Sequence, residues 1–165
     1  FDAEDLRQKI DKECQVCDLH QDYRLRISLS KSGEIGIDRQ VLTPLSPSFC
    51  QAKLCLQEAD LQQAFTYFKT THRPHLTVGE QEIIYHTADG KLLETSIGNL
   101  VLKMNSKLYT PPSQLGLLPG IYRQHLLENG QVEEKDLTIE NLKQAEVIYG
   151  CNAVRGLYEL SVKEN

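Results

Sequence analysis

Leu92-Leu93-Glu94-Thr95-Ser96-Ile97-Gly98-Asn99-Leu100-Val101-Leu102-Lys103-Met104-Asn105-Ser106-Lys107-Leu108-Tyr109-Thr110 decides the fold class of this chain. Leu100, Leu102 and Met104 fall at every second position, the period of a strand with one buried face. Asn105-Ser106 then turns the chain, and Lys107 to Thr110 pairs back. Upstream, Asp89-Gly90 is a second turn signal, between the strand-like run Glu82 to His86 and Leu92-Leu93. Strand, turn and strand in quick succession imply a largely antiparallel sheet.

Outward from this stretch, Ala52, Leu54 and Leu56 alternate as a further strand, and Val147 to Gly150 and Gly156 to Val162 read as two more. Pro119-Gly120 introduces a helix from about Ile121 to Asn129 that Gly130 closes, and Thr138 caps a second helix bearing Ile139, Leu142 and Ala145. At the start of the chain Asp2 reads as an N-cap with Glu4 and Asp5 in the first turn. Leu6, Ile10, Cys14 and Cys17 follow at helical spacing. Tyr23, Leu25, Ile27 and Leu29 alternate with polar residues, and Ser30 to Gly33 turns toward a strand around Ile35 and Ile37. The Pro and Ser cluster Thr43 to Ser48 is the natural divide, giving units 1–44 and 45–165. The fold class is α+β.

A formal charge of −5, with the 18 Lys and Arg scattered, argues against a nucleic-acid surface and toward a small-molecule substrate. No run of about 18 apolar residues offers a membrane span and no segment reads as a signal peptide, so a cytoplasmic location is the expectation. Five cysteines suit no disulfide framework and no metal-ligand spacing, so buried free thiols and no metal are expected. The chain opens at Phe1 and runs directly into a helix, which implies further sequence upstream.

Three segments carry residues capable of chemistry. In Gly116-Leu117-Leu118-Pro119-Gly120-Ile121-Tyr122-Arg123, backbone amides at a helix start could cradle a phosphate; a plain capped helix explains the same residues. Glu94, between a hairpin strand and an apolar one, could be a fixed, partly buried carboxylate or an exposed strand-end acid. Lys69 follows Phe65, Tyr67 and Phe68, which could desolvate its ammonium; a lysine lying along apolar surface is the plainer alternative.

Together with Asn152 in Tyr149-Gly150-Cys151-Asn152-Ala153-Val154-Arg155-Gly156-Leu157, these segments resemble the signatures of the class IV aminotransferase family, the fold-type IV pyridoxal-phosphate enzymes. Within it the similarity is greatest to aminodeoxychorismate lyases, including those fused behind component I of aminodeoxychorismate synthase. It runs from the helix at Asp2 to the strand ending near Val162, and Leu108-Tyr109-Thr110-Pro111-Pro112 belongs to it. The resemblance implies a larger carboxyl-terminal domain with a mostly antiparallel sheet, preceded by the remnant of a small amino-terminal α/β domain.

By position, the resemblance makes Lys69 the lysine that bonds pyridoxal 5'-phosphate and serves as catalytic base, and Glu94 the acid facing the pyridine nitrogen. It makes the Ile121 and Tyr122 amides one side of the phosphate cradle and the Cys151-Asn152 turn the other. It implies a homodimer that converts 4-amino-4-deoxychorismate to 4-aminobenzoate and pyruvate, a step toward folate, alone or with aminodeoxychorismate synthase. A branched-chain or D-amino-acid transaminase on the same scaffold is the alternative. A non-catalytic remnant is another, because the Lys69 to Glu94 interval is shorter than the family norm, Leu76 stands where tyrosine is frequent, and the family's amino-terminal arginine segment has no counterpart.

Overall fold

A computed structural model describes residues 2–57, 67–69 and 76–162. The chain divides into two compact units, Phe1–Leu45 and Ser46–Asn165.

The first unit is one helix and one hairpin. Asp2 caps α1 (Ala3–Gln15) by accepting a 2.8 Å bond from the Glu4 amide, and Glu4 and Asp5 place negative charge at the positive end of the helix dipole. β1 (Tyr23–Leu29) and β2 (Ile35–Val41) pair antiparallel from Tyr23↔Val41 to Leu29↔Ile35, through a turn in which Gly33 adopts a φ of 89°. Among the described residues of this unit only Ile35 is a buried hydrophobic, as expected of a helix and two strands too small to enclose a core.

The half-buried stripe of α1 and the residues after it runs Leu6, Ile10, Glu13, Cys17, so Glu13 occupies the position expected of Cys14, which is exposed. Arg39 explains the exchange: it donates to the Glu13 carbonyl at 3.0 Å, lies near the Glu13 carboxylate and the Cys17 sulfur, and stacks over Tyr23. The expectation of buried thiols is thereby corrected. All five cysteines are free, but Cys14 and Cys55 are exposed, Cys17 and Cys50 half-buried, and Cys151 alone is buried.

The second unit is built on a sheet that closes on itself. Its strands are β3 (Gln51–Leu56), β4 (Ile83–His86), β5 (Leu92–Thr95), β6 (Asn99–Met104), β7 (Lys107–Thr110), β8 (Glu133–Glu134), β9 (Val147–Asn152) and β10 (Gly156–Val162). The spatial order is β5-β4-β3-β10-β9-β6-β7-β8, and β6 also pairs with β5. One edge of β6 is bonded to β9 along Asn99 to Lys103. Its other edge is shared: Asn99 pairs with Glu94 of β5, and Leu102 to Met104 pair with β7. Between those partners the Leu100 carbonyl accepts from the Thr110 hydroxyl at 2.8 Å, which satisfies a group the ladder leaves over.

The sheet is mostly antiparallel, with β3 parallel to both of its neighbours, β4 and β10, and β7 parallel to β8. β3 and β4 are consecutive among the described strands, and their parallel pairing requires a crossover between them. Asn105 and Ser106 both have positive φ, 50° and 63°, the geometry of a tight hairpin turn. Among the described residues, α2 (Ile121–Glu128) and α3 (Ile139–Gln144) pack in this unit, the latter started by a capping box between Thr138 and Asn141.

β6 departs from simple alternation. Leu100, Leu102 and Met104 join Ile84, Leu92 and Leu137 in one core cluster, whereas Val101 joins Cys151, Leu126 and Val132 in a second under α2. A strand covered on both faces is apolar on both, which is why Val101 interrupts the expected pattern.

Candidate active site

The first residue of β6 gathers the candidate site. Asn99 pairs with Glu94 on one side and with Cys151 on the other, so the β5–β6 turn and the β9–β10 turn meet at one end of the sheet. Thr95 and Gly98 lock the first turn through reciprocal bonds: the Thr95 amide and hydroxyl donate to the Gly98 carbonyl, and the Gly98 amide donates to the Thr95 oxygen. A side chain at Gly98 would overlap the Cys151 carbonyl, so the turns can adjoin only with glycine there.

Glu94 is 2% exposed. Its Oε2 accepts from the Leu118 amide at 3.3 Å, and Asn99 Nδ2 donates to the Leu118 carbonyl at 2.7 Å. One residue of the loop before α2 is thus held through both backbone groups by the two side chains that face each other across β5 and β6. The loop comes in closely because Gly120, the N-cap of α2, has no Cβ: one built there would overlap Asn99 Oδ1.

With glycine at the cap no side chain serves the first amides of α2, and the first backbone bond of the helix is Gln124 N–H to the Gly120 carbonyl. The amides of Ile121 and Tyr122 engage no acceptor among the described residues, and Ile121 is 81% exposed. A Cβ on Gly156 would stand 3.3 Å from the Tyr122 hydroxyl, so this helix start adjoins the end of the β9–β10 turn.

Asn152 organises that turn. Its Oδ1 accepts from the amides of Val154 and Arg155, each at 3.0 Å, and its Nδ2 donates to the Ile97 carbonyl at 3.4 Å. Cys151 differs: its side chain is buried with Val101, Leu126 and Val132, and burial pushes the thiol up to about 11. Asn152 and the residues after it, rather than the Cys151 side chain, therefore face the other elements of the site.

Glu94, Ile121, Tyr122, Cys151 and Asn152 are thus linked through Asn99 and the loop at Leu118. Lys69 is exposed, and no contact among the described residues joins it to Glu94; Phe65 and residues 70–74, part of the sequence argument for it, lie outside the described residues. The cavity of about 820 Å³ between β3, α3 and β10, lined by Gln51, Lys53, Gln81, Leu142 and Lys143 among others, includes none of these candidates among its described lining.

Residues that sequence reasoning passed over complete the arrangement. Glu82, 0% exposed, accepts from the Ser96 hydroxyl at Oε1 and from the Tyr158 hydroxyl at 3.0 Å at Oε2. Burial foremost, and then the Glu82 carboxylate, hold the Tyr158 hydroxyl protonated well above the ordinary tyrosine range. The ring of Tyr158 lies across Gly150, its partner on β9, in the space a Cβ would fill. The signals were a glutamate opening an apolar run and a glycine inside a strand.

The profile of the family described as Amino-transferase class IV matches residues 1–161. A Schizosaccharomyces pombe protein named "Putative aminodeoxychorismate lyase" is 35% identical over 78 residues, which cover 46% of this chain and 34% of that protein. The chain spans about a third of the length of the curated relatives it matches. A Haemophilus somnus crystal structure named as a "putative 4-amino-4-deoxychorismate lyase" superposes with a TM-score of 0.65 at 26% identity, covering 93% of this chain and 77% of that one. A Mesorhizobium loti structure named as a "Putative amino-acid aminotransferase" shares the fold, with a TM-score of 0.68 at 24% identity over 96% of this chain and 89% of its own. With the family profile matched over nearly all of its length, this chain belongs to the class IV amino-transferases.

Proposed function

We propose that this chain is the cofactor-binding part of a pyridoxal-phosphate-dependent lyase that converts 4-amino-4-deoxychorismate to 4-aminobenzoate and pyruvate. One observation carries the reading: a carboxylate 2% exposed, Glu94, is tied through Leu118 to the loop that leads into the uncapped start of α2. That donor set fits pyridoxal 5'-phosphate, which presents a ring nitrogen at one end and a dianionic phosphate near the other. When bound, the group supplies a protonated pyridine ring that accepts the electron pair of a bond broken at an amine-bearing carbon.

In this reading Glu94 holds the proton on the ring nitrogen, a charge-assisted bond that burial strengthens. The Ile121 and Tyr122 amides hold the phosphate at the positive end of the helix dipole. Asn152 fixes the turn that closes the other side. Lys69 would hold the group covalently and, with its amine free, would take the proton from the amine-bearing ring carbon of the substrate. Loss of the neighbouring enolpyruvyl group as pyruvate leaves an aromatic ring, whose stability drives the step. The lyase names of two relatives support this chemistry, and transamination on the same scaffold is the alternative.

The test is a spectrum followed by a product assay. Purified protein given pyridoxal phosphate is expected to gain a visible band that Lys69→Ala abolishes. With aminodeoxychorismate it is expected to release 4-aminobenzoate and pyruvate in equal amounts without an added keto acid. Turnover only when an amino acid and a keto acid are paired would make it a transaminase and sink the lyase reading.

A further inference from the structure

The sheet of the second unit closes between β5 and β6 through a single residue pair, Glu94↔Asn99. Glu94 therefore stands where the backbone ladder is shortest, and a two-bond closure does little by itself to fix a side chain. The turn that follows, however, is gripped from inside. Ser96 donates its amide to the Ile83 carbonyl at 3.0 Å, accepts from the Ile83 amide at 3.4 Å, and donates its hydroxyl to Glu82. Glu82 is itself held at both backbone ends, its amide donating to the Phe49 carbonyl at 2.9 Å and its carbonyl accepting from the Lys53 amide at 3.0 Å. Its second oxygen takes the Tyr158 hydroxyl from β10. Tyr158 fills the space over Gly150, and its hydroxyl would stand 3.2 Å from a Cβ on Gly98 at the far end of the turn.

We propose that Glu82, Ser96 and Tyr158 form a positioning clamp that sets the β5–β6 turn and thereby holds the Glu94 carboxylate against the Leu118 amide. The role given to Glu94 rests on the proposed function; the clamp itself rests on contacts in the protein alone. The chemistry suits the task. A carboxylate that accepts from two hydroxyls on different strands fixes both, and in a dry interior each bond resists exchange with water. Among the described residues no lysine or arginine forms an ion pair with Glu82, so its oxygens are committed to these two hydroxyls. Ser96 lies two residues beyond Glu94, and Tyr158 reaches the turn from across the closed sheet. Loosening either bond removes a side-chain hold on a turn whose backbone is otherwise tied by the Ser96–Ile83 and Thr95–Gly98 bonds.

Amide hydrogen exchange of the full chain without cofactor tests the clamp. Tyr158→Phe keeps the ring over Gly150 and removes only the hydroxyl; Glu82→Gln keeps the shape of the side chain. Each is expected to speed exchange of the Leu118 and Gly98 amides by about tenfold, the size of one hydrogen bond, while Val101 and Leu102 in the middle of β6 change little. Unchanged exchange at Leu118 in both variants, or a parallel rise at all four amides, would overturn the proposal, the latter by showing general destabilisation. Added pyridoxal phosphate separates the two readings. A visible band whose pH midpoint shifts in both variants supports the clamp acting through Glu94. Absence of any band in the unmutated protein defeats the cofactor reading and leaves the exchange result to decide the clamp.

Discussion

Gly120 and Asn99 occupy each other's margin: the α carbon that opens α2 sits where a Cβ would overlap the Asn99 side-chain oxygen, while the nitrogen of the same amide binds the Leu118 carbonyl two residues before that glycine. The loop, the strand end and the helix start are one packed unit, and its tolerance can be measured. Gly120 has an ordinary extended φ of −67°, so a substitution there is opposed by packing and not by backbone strain.

Gly120→Ala is expected to push the Asn99 amide aside and break its bond to Leu118, with a loss of about 1–3 kcal/mol in unfolding free energy. Asn99→Ala alone loses the bond but also removes the obstacle. The double variant should therefore be more stable than the sum of the single losses implies. Urea denaturation of the three variants checks this, and strictly additive losses would show that the two residues are not coupled.

Local chemistry made much of the fold legible. The Asp2 cap, the Asn105-Ser106 turn and the Thr138 cap each depend on residues within three positions of one another, and each is present. Cys14 misled because helical spacing alone does not say which of two neighbouring stripes faces inward, and Arg39, far along the chain, draws Glu13 into that stripe. The closed sheet and the Glu82–Tyr158 bond were not legible at all. The two residues are 76 apart, and nothing in the neighbourhood of either reveals the other. Glu94 and Asn152 were singled out through the resemblance; the surroundings of Glu94 alone favoured an exposed strand-end acid.

Thiol reactivity should rank the cysteines by exposure. At pH 8 a thiol reagent is expected to modify Cys14 and Cys55 first, with Cys151 protected until the protein unfolds, because it is both buried and held protonated. Mass spectrometry of timed samples gives the order. Early labelling of Cys151 would contradict its place in the core under α2.

Alkaline pH should weaken the fold through the same residue. A buried Cys151 thiol ionises at about 11, against 9.0 for a free one, so the unfolded chain loses its proton first as pH rises. The stability this group contributes is fully present below pH 9 and is lost as pH climbs through about 11. The loss is on the order of 2–3 kcal/mol. Cys151→Ala should flatten the decline in denaturation midpoint between pH 9 and 11, and an equally steep decline in that variant would assign the effect elsewhere.

Lys69→Ala and Glu94→Ala should fail in different ways, which makes the pair the sharpest examination of the proposed chemistry. Lys69→Ala removes the covalent hold and the base together, so turnover of aminodeoxychorismate should vanish, while the Ile121 and Tyr122 amides still retain some cofactor without a covalent bond. Glu94→Ala leaves the lysine intact, so the visible band should persist. Without the carboxylate the ring nitrogen gives up its proton more easily, and the ring then accepts electrons poorly at the step where charge develops. A fall in rate of about a hundredfold to ten-thousandfold, with a much smaller change in cofactor affinity, is expected. The Glu94→Ala change also strips the Leu118 amide of its buried acceptor, so Glu94→Gln is the necessary control: it keeps an oxygen for Leu118 but cannot hold a proton on the ring nitrogen. If Glu94→Gln restores most of the rate, the residue serves only to anchor the loop, and the assignment of a pyridine-nitrogen partner falls.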